Sequence, residues 1–323
     1  MFFLVFALLM GGFAAQDASQ HLTPRPLKAS TIRKLEVPPF GSFGSTQCDD
    51  SLAMYDHLAV GSYRHTAILR TSLSGNESTL YKLPDEFADS TVFNDFSVTP
   101  DGAVTALVED EQGHSMRFDF DSEGKVSSHA NLELSEQVEG DKIAIFPNNT
   151  MLFSGHYRAN TPAGLRGKRF IALFQPSGKL IRRLDQTGLA DLDLDLPASH
   201  IPDGGITIGR DGNVYLLTSD KVLVISASGR IQNKISFTKP DPGFSAVEVQ
   251  YSQGLLVISF AKQGKTIALY QYLVVNASTG EPLGLYEPTE ETGNNNVCFS
   301  RSEGFLFFTI KNDRVNIITA PLR

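Results

Sequence analysis

Oxygen-bearing side chains recur just ahead of the apolar runs of this chain: Asp50, Asp95, Asp141, Asp203 and Asn295, with Ser245 or Glu248 at the corresponding place in the fifth unit. Where such groups converge, they can hold a hard cation such as Ca²⁺ through oxygen ligands. Without a cation, converging carboxylates repel and raise one another's pKa. Asp and Asn also shape turns through hydrogen bonds to their own backbone, with no ligand involved. A second set comprises Arg64, His65, His114, His156, Tyr157 and Arg158. The three histidines each fall near the loop joining the second and third strands of one of the first three units. A His/Arg/Tyr patch forms a polar ligand site, or a general-base site if an imidazole takes a proton. Solvated loop histidines are the plainer reading of the same residues.

Other catalytic signatures are missing from the sequence. There is no Gly-x-Ser-x-Gly elbow, no phosphate loop and no His-Glu-x-x-His pair. The 2 cysteines, Cys48 and Cys298, are too far apart for a Cys-x-x-Cys site. Asn76, Asn148 and Asn276 head glycosylation acceptor triplets, which matter only in a eukaryotic secretory route.

What positions these residues is a repeated unit. An apolar run, a tight polar turn and a second apolar run recur at 51–60, 96–107, 143–153, 206–216, 247–257 and 297–307. The turns include Pro100-Asp-Gly, Pro147-Asn-Asn and Arg210-Asp-Gly, the chemistry that tight hairpins need. A period of roughly 40–50 residues marks propellers and arrays. The inner runs are apolar on both faces, as in blades buried by their neighbours. The fold class expected is therefore all-β, a six-bladed β-propeller with four-stranded blades. The last copy ends one strand short, and residues 30–37 form a strand-like run without a unit of their own. We expect that run to complete the last blade and close the ring. In such a ring Cys48 and Cys298 face each other across the closure seam, either as a disulfide or as two buried thiols.

The Pro-Asp-Gly and Arg-Asp-Gly turns, with Ser-Gly-Lys or Ser-Gly-Arg turns before the outer strands, resemble six-bladed propellers of the NHL-repeat and lactonase-like (gluconolactonase-type) kind. The resemblance covers roughly residues 30–323. In lactonase-like propellers it implies a central metal held by acidic and amide side chains. The Glu expected early in that pattern has no counterpart here.

The remaining features bound the organisation. Residues 1–15 resemble a secretory signal with an apolar core and small residues at its end, although no Lys or Arg precedes that core. Residues 16–29 read as a flexible tether and 30–323 as one propeller domain. Insertions at 155–168 and 185–202 lengthen loops, which are favoured places for function on a rigid scaffold. The formal charge of −8, with no Lys/Arg-rich run, argues against nucleic acid and anionic membrane surfaces. These features point to a secreted or periplasmic monomer without a membrane span. The first function expected is a binding module for a protein, peptide or glycan, with no cofactor. The alternative is a Ca²⁺-dependent lactonase or esterase-like hydrolase with its metal at the channel mouth. A purely structural scaffold is the third reading.

Overall fold

The computed structural model describes residues 22–35, 43–49, 53–59, 66–72, 77–88, 90–134, 137–158, 167–186, 205–263, 268–292, 297–311 and 314–322. The expected signal at 1–15 lies outside them, as do Asp50, Arg64, His65, Asp203, Asn295 and most of both insertions.

The described residues are all-β apart from one short helix, and their arrangement is a β-propeller. The chain enters through β1 (Arg25–Pro26) and β2 (Thr31–Leu35). The first sheet is β3 (Phe43–Cys48), β4 (Ala53–Ala59), β5 (Thr66–Ser72) and β6 (Ser78–Lys82). Helix α1 (Asp85–Ala88) leads to the second: β7 (Thr91–Val98), β8 (Val104–Asp110), β9 (Ser115–Phe120) and β10 (Val126–Asn131). The third is β11 (Val138–Ile145), β12 (Met151–Tyr157), β13 (Arg169–Phe174) and β14 (Leu180–Arg183). The fourth is β15 (Ile206–Ile208), β16 (Val214–Leu217), β17 (Lys221–Ile225) and β18 (Ile231–Ser236). The fifth is β19 (Ser245–Ser252), β20 (Leu255–Gln263), β21 (Ala268–Asn276) and β22 (Pro282–Glu287). The sixth holds β23 (Val297–Ser300), β24 (Gly304–Lys311) and β25 (Arg314–Ala320), with β2 on its outer edge. Five sheets thus have four strands, and the fifth sheet gains an extra strand from β1.

The repeated turns make these hairpins. Gly102 and Gly212 take φ of 88° and 76°, and Asn149 takes 61° at the matching place. Only Gly and a few polar residues adopt that conformation cheaply, which explains the Asp-Gly and Asn-Asn pairs. The apolar runs then bury both faces of each sheet. One core packs Tyr55, Ile68 and Tyr81 of the first sheet against Phe93, Phe96 and Phe118 of the second. Others join the third sheet to the fourth, the fourth to the fifth and the fifth to the sixth.

The inner strands touch in the cyclic order β3, β7, β11, β15, β19, β23 and back to β3. Their free backbone groups are answered by side chains from the preceding inner strand. Gln47 donates through Nε2 to Phe96 O (2.6 Å) and accepts from Val98 N–H (3.0 Å). Gln250 repeats this with Val297 O (2.7 Å) and Phe299 N–H (2.9 Å). Buried peptide groups must be paired, so these amides stand in for missing ladder bonds.

At the seam, Cys48 on β3 and Cys298 on β23 form a disulfide. The strand-like run near residue 32 pairs antiparallel with β25, Thr31 opposite Thr319 through Leu35 opposite Val315. Residues 22–29 depart from the flexible tether expected there. β1 pairs in parallel with β22, and Leu27 is buried against the fifth and sixth sheets. Among the described residues, no helix is long and apolar enough to cross a membrane.

Candidate functional site at the channel mouth

Four inner strands slip register, β3 between Phe43 and Thr46 and three others beside charged residues. Those three slips fall between Phe93 and Asp95 on β7, between Gly140 and Lys142 on β11, and between Ala246 and Glu248 on β19. A bulge bends its strand and re-aims the side chains beside it. Asp95, Lys142 and Glu248 each follow their bulge directly. Lys142 Nζ donates to Asp95 Oδ1 at 3.1 Å, and Ile143 N–H donates to Asp95 Oδ2 at 2.9 Å. The Asp95 side chain is 3% exposed and that of Lys142 is 28% exposed. Glu248, two sheets from β11, lies within the electrostatic field of both Lys142 and Asp95. Charged groups from the second, third and fifth sheets therefore converge.

Their titration follows from this placement. The Asp95 carboxylate holds the Lys142 ammonium charged well past the ordinary lysine range, with Glu248 and Asp141 adding to the effect. The pairing with Asp95 thus favours the charged form of Lys142. Burial pushes the Glu248 carboxyl up, the field of Asp95 adds to the rise, and Lys142 and a bond from Gln250 oppose it. Burial likewise raises Asp95 against the pull of Lys142 and the Ile143 N–H.

Beside this cluster stands a His–Asp pair. Asp141 is the residue left over by the β11 bulge, and its Oδ2 lies 2.6 Å from His156 Nδ1. The His156 side chain is 48% exposed, and the pair with Asp141 uses Nδ1, not Nε2. Its pKa is raised, first by the Asp141 bond and further by the charges of Asp141 and Glu139; burial and Arg169 oppose this.

The other expected ligand residues separate. His114 is an exposed turn residue whose Nδ1 lies 2.9 Å from Asp110 Oδ2. Arg158 pairs with Glu109 and lies over the Gly113 turn, so it joins the third sheet to the second. Tyr157 is no surface ligand residue: it is 3% exposed, edge-on to Phe170, with its hydroxyl on Arg183. Of the expected oxygen ligands, Asp95, Asp141 and Glu248 all act on the charge of Lys142, while Ser245 stands at the start of β19 opposite Ala261. Lys142 was missed. Its signal is its register, since it precedes its turn by the same count as Asp95.

No family model matches the chain, and no curated protein matches it. Solved structures do share its fold. One is a luciferin-regenerating enzyme, with a TM-score of 0.51 and 12% identity, covering 90% of this chain and 97% of that one. Another is regucalcin, a calcium-binding protein from Agrobacterium tumefaciens, with a TM-score of 0.51 and 14% identity over 93% and 97%. A third is a glucose dehydrogenase, with a TM-score of 0.50 and 9% identity over 91% and 100%. At these identities the likeness is one of fold, a β-propeller. It corrects the first expectation, a pure binding module, because two of these three fold-mates are named as enzymes.

The calcium implied by the lactonase resemblance does not fit the described donors. Ca²⁺ takes about six to eight oxygens. Here a lysine and a peptide N–H claim one oxygen each of Asp95, and a histidine claims Asp141. Among the described residues, no three His, Cys, Asp or Glu side chains are grouped to hold a metal.

Proposed function

We propose that this protein is a hydrolase of the lactonase or esterase kind, acting on a small ester at the channel mouth. The observation that carries this reading is the Asp141–His156 pair placed next in sequence to the protonated Lys142. In this reading the ammonium polarises the substrate carbonyl and steadies the oxyanion. His156, with Nδ1–H donated to Asp141, takes a proton from water at Nε2 as the water oxygen bonds to the carbonyl carbon. The same proton passes to the leaving alkoxide as the acyl C–O bond breaks. Asp95 keeps Lys142 charged and in place, and Glu248 completes the far wall.

Several finer features belong to this reading. The cyclic contacts of the inner strands and the β2–β25 pairing support six blades in one ring spanning residues 30–323. The disulfide supports an oxidising compartment, secreted or periplasmic, with residues 1–15 as the export signal. We read the protein as a monomer.

The test is a turnover assay on a panel of lactones and aryl esters with the wild type, His156→Gln and Lys142→Met. Hydrolysis by the wild type, with kcat reduced about 100-fold or more in folded His156→Gln, supports the reading. A wild type inert on the whole panel refutes it.

A further inference from the structure

The channel mouth holds carboxylates of the kind that bind a divalent ion, yet its cation is already part of the chain. We infer that Lys142 is the resident cation of the channel, so that this propeller works at its axis without a divalent metal. This goes beyond the hydrolase reading and stands without it, because it concerns what neutralises the cluster and not what the cluster turns over.

Three observations converge on it. First, Lys142 occupies the register that Asp95 occupies on the preceding inner strand, so a position of the carboxylate ring carries an ammonium instead. Second, its Nζ is 3.1 Å from Asp95 Oδ1 and its charge is felt at Glu248, so one ammonium serves carboxylates from two different sheets. Third, two further carboxylate oxygens near it already have partners. Ile143 N–H holds Asp95 Oδ2, and His156 Nδ1 holds Asp141 Oδ2. A divalent ion entering here would meet a like charge a few ångströms away. It would also compete with the Ile143 peptide N–H for Asp95 Oδ2. A tethered ammonium has a further consequence: the positive charge cannot be removed by a chelator, and its presence does not depend on ambient calcium.

The experiment titrates Ca²⁺ and Mn²⁺ alone into the purified full chain by calorimetry, with melting followed in millimolar calcium and in chelator. The proteins are the wild type, Lys142→Gln, Lys142→Arg, Asp95→Asn and the double variant Asp95→Asn/Lys142→Gln. The wild type and Lys142→Arg are expected to give no stoichiometric binding at the cluster and unchanged melting. Folded Lys142→Gln is expected to bind Mn²⁺ or Ca²⁺ about tenfold or more tightly than the wild type, and the double variant to lose that gain. Stoichiometric calcium on the wild type that disappears in Asp95→Asn overturns the inference. So does a folded Lys142→Gln with no gain. If Lys142→Gln does not fold, the wild type, Lys142→Arg and Asp95→Asn titrations decide it. No turnover is read, so an inert hydrolase assay leaves this result standing.

Discussion

Cys48 and Cys298 are separated by 250 residues in the chain, and their Cα atoms lie 6.0 Å apart on adjoining inner strands. The bond between them ties the inner strand of the first sheet to the inner strand of the sixth. A cross-link over so long a loop removes much of the freedom of the unfolded chain. Replacing both cysteines with serine is expected to cost about 2–5 kcal/mol. Denaturant unfolding of the double variant, compared with the oxidised wild type, measures it. A change within error would mean that strand pairing alone holds the seam.

β2 closes the same seam by a different means. Its five residues pair with β25, and Ser30 adds bonds through its N–H and Oγ to Thr319 O. Removing residues 28–35 leaves the β25 edge unpaired. Bare edges invite aggregation. We expect a lower melting temperature together with concentration-dependent association, read by light scattering during a melt. An unchanged melt would show that the strand is dispensable.

Gln47 and Gln250 offer a cleaner test of inter-sheet bonding. Each answers one carbonyl and one N–H of the next inner strand. Truncating Gln47 to alanine strands Phe96 O and Val98 N–H in a buried place. The expected loss is about 1–3 kcal/mol, and Gln47→Glu should lose nearly as much because it cannot donate to the carbonyl. Unfolding midpoints for both variants and for Gln250→Ala check the equivalence of the two clamps.

The Asp141–His156 pair predicts a pH dependence. The folded pKa of His156 is raised above its unfolded value, so its contribution to stability is complete below the unfolded pKa, near 6.5. That contribution fades as pH rises through the higher folded value. Asp141→Asn is expected to lower the imidazole midpoint, with Glu139 on β11 still raising it and Arg169 on β13 still opposing. NMR titration of the imidazole in wild type and Asp141→Asn reads this directly. A midpoint that does not move would show that the pair is not formed. In the hydrolase reading, the rate should rise with pH along the same midpoint and shift down with it in the variant.

Much of the fold was legible in the residues because it rests on local rules. Asp-Gly and Asn-Asn turns between doubly apolar runs impose hairpins, and a regular period of such hairpins imposes a propeller. The strand near Ile32, the missing strand of the last unit and the meeting of Cys48 with Cys298 all follow from counting units in register. The candidate site was half legible. Asp95, Asp141 and Glu248 were visible as oxygen ligands ahead of each inner strand, but their partners were not. Whether a carboxylate faces a metal, an ammonium or a peptide N–H depends on where a one-residue bulge turns the strand, and no residue type announces that. The same bulge left Asp141 to His156 and Lys142 to Asp95. By itself, then, the sequence determined the repeating hairpins and which units must adjoin, because turn chemistry and apolar patterning act over a few residues. Only the tertiary structure decided that the carboxylates meet a lysine, because that contact joins sheets whose relative placement is set by packing between them.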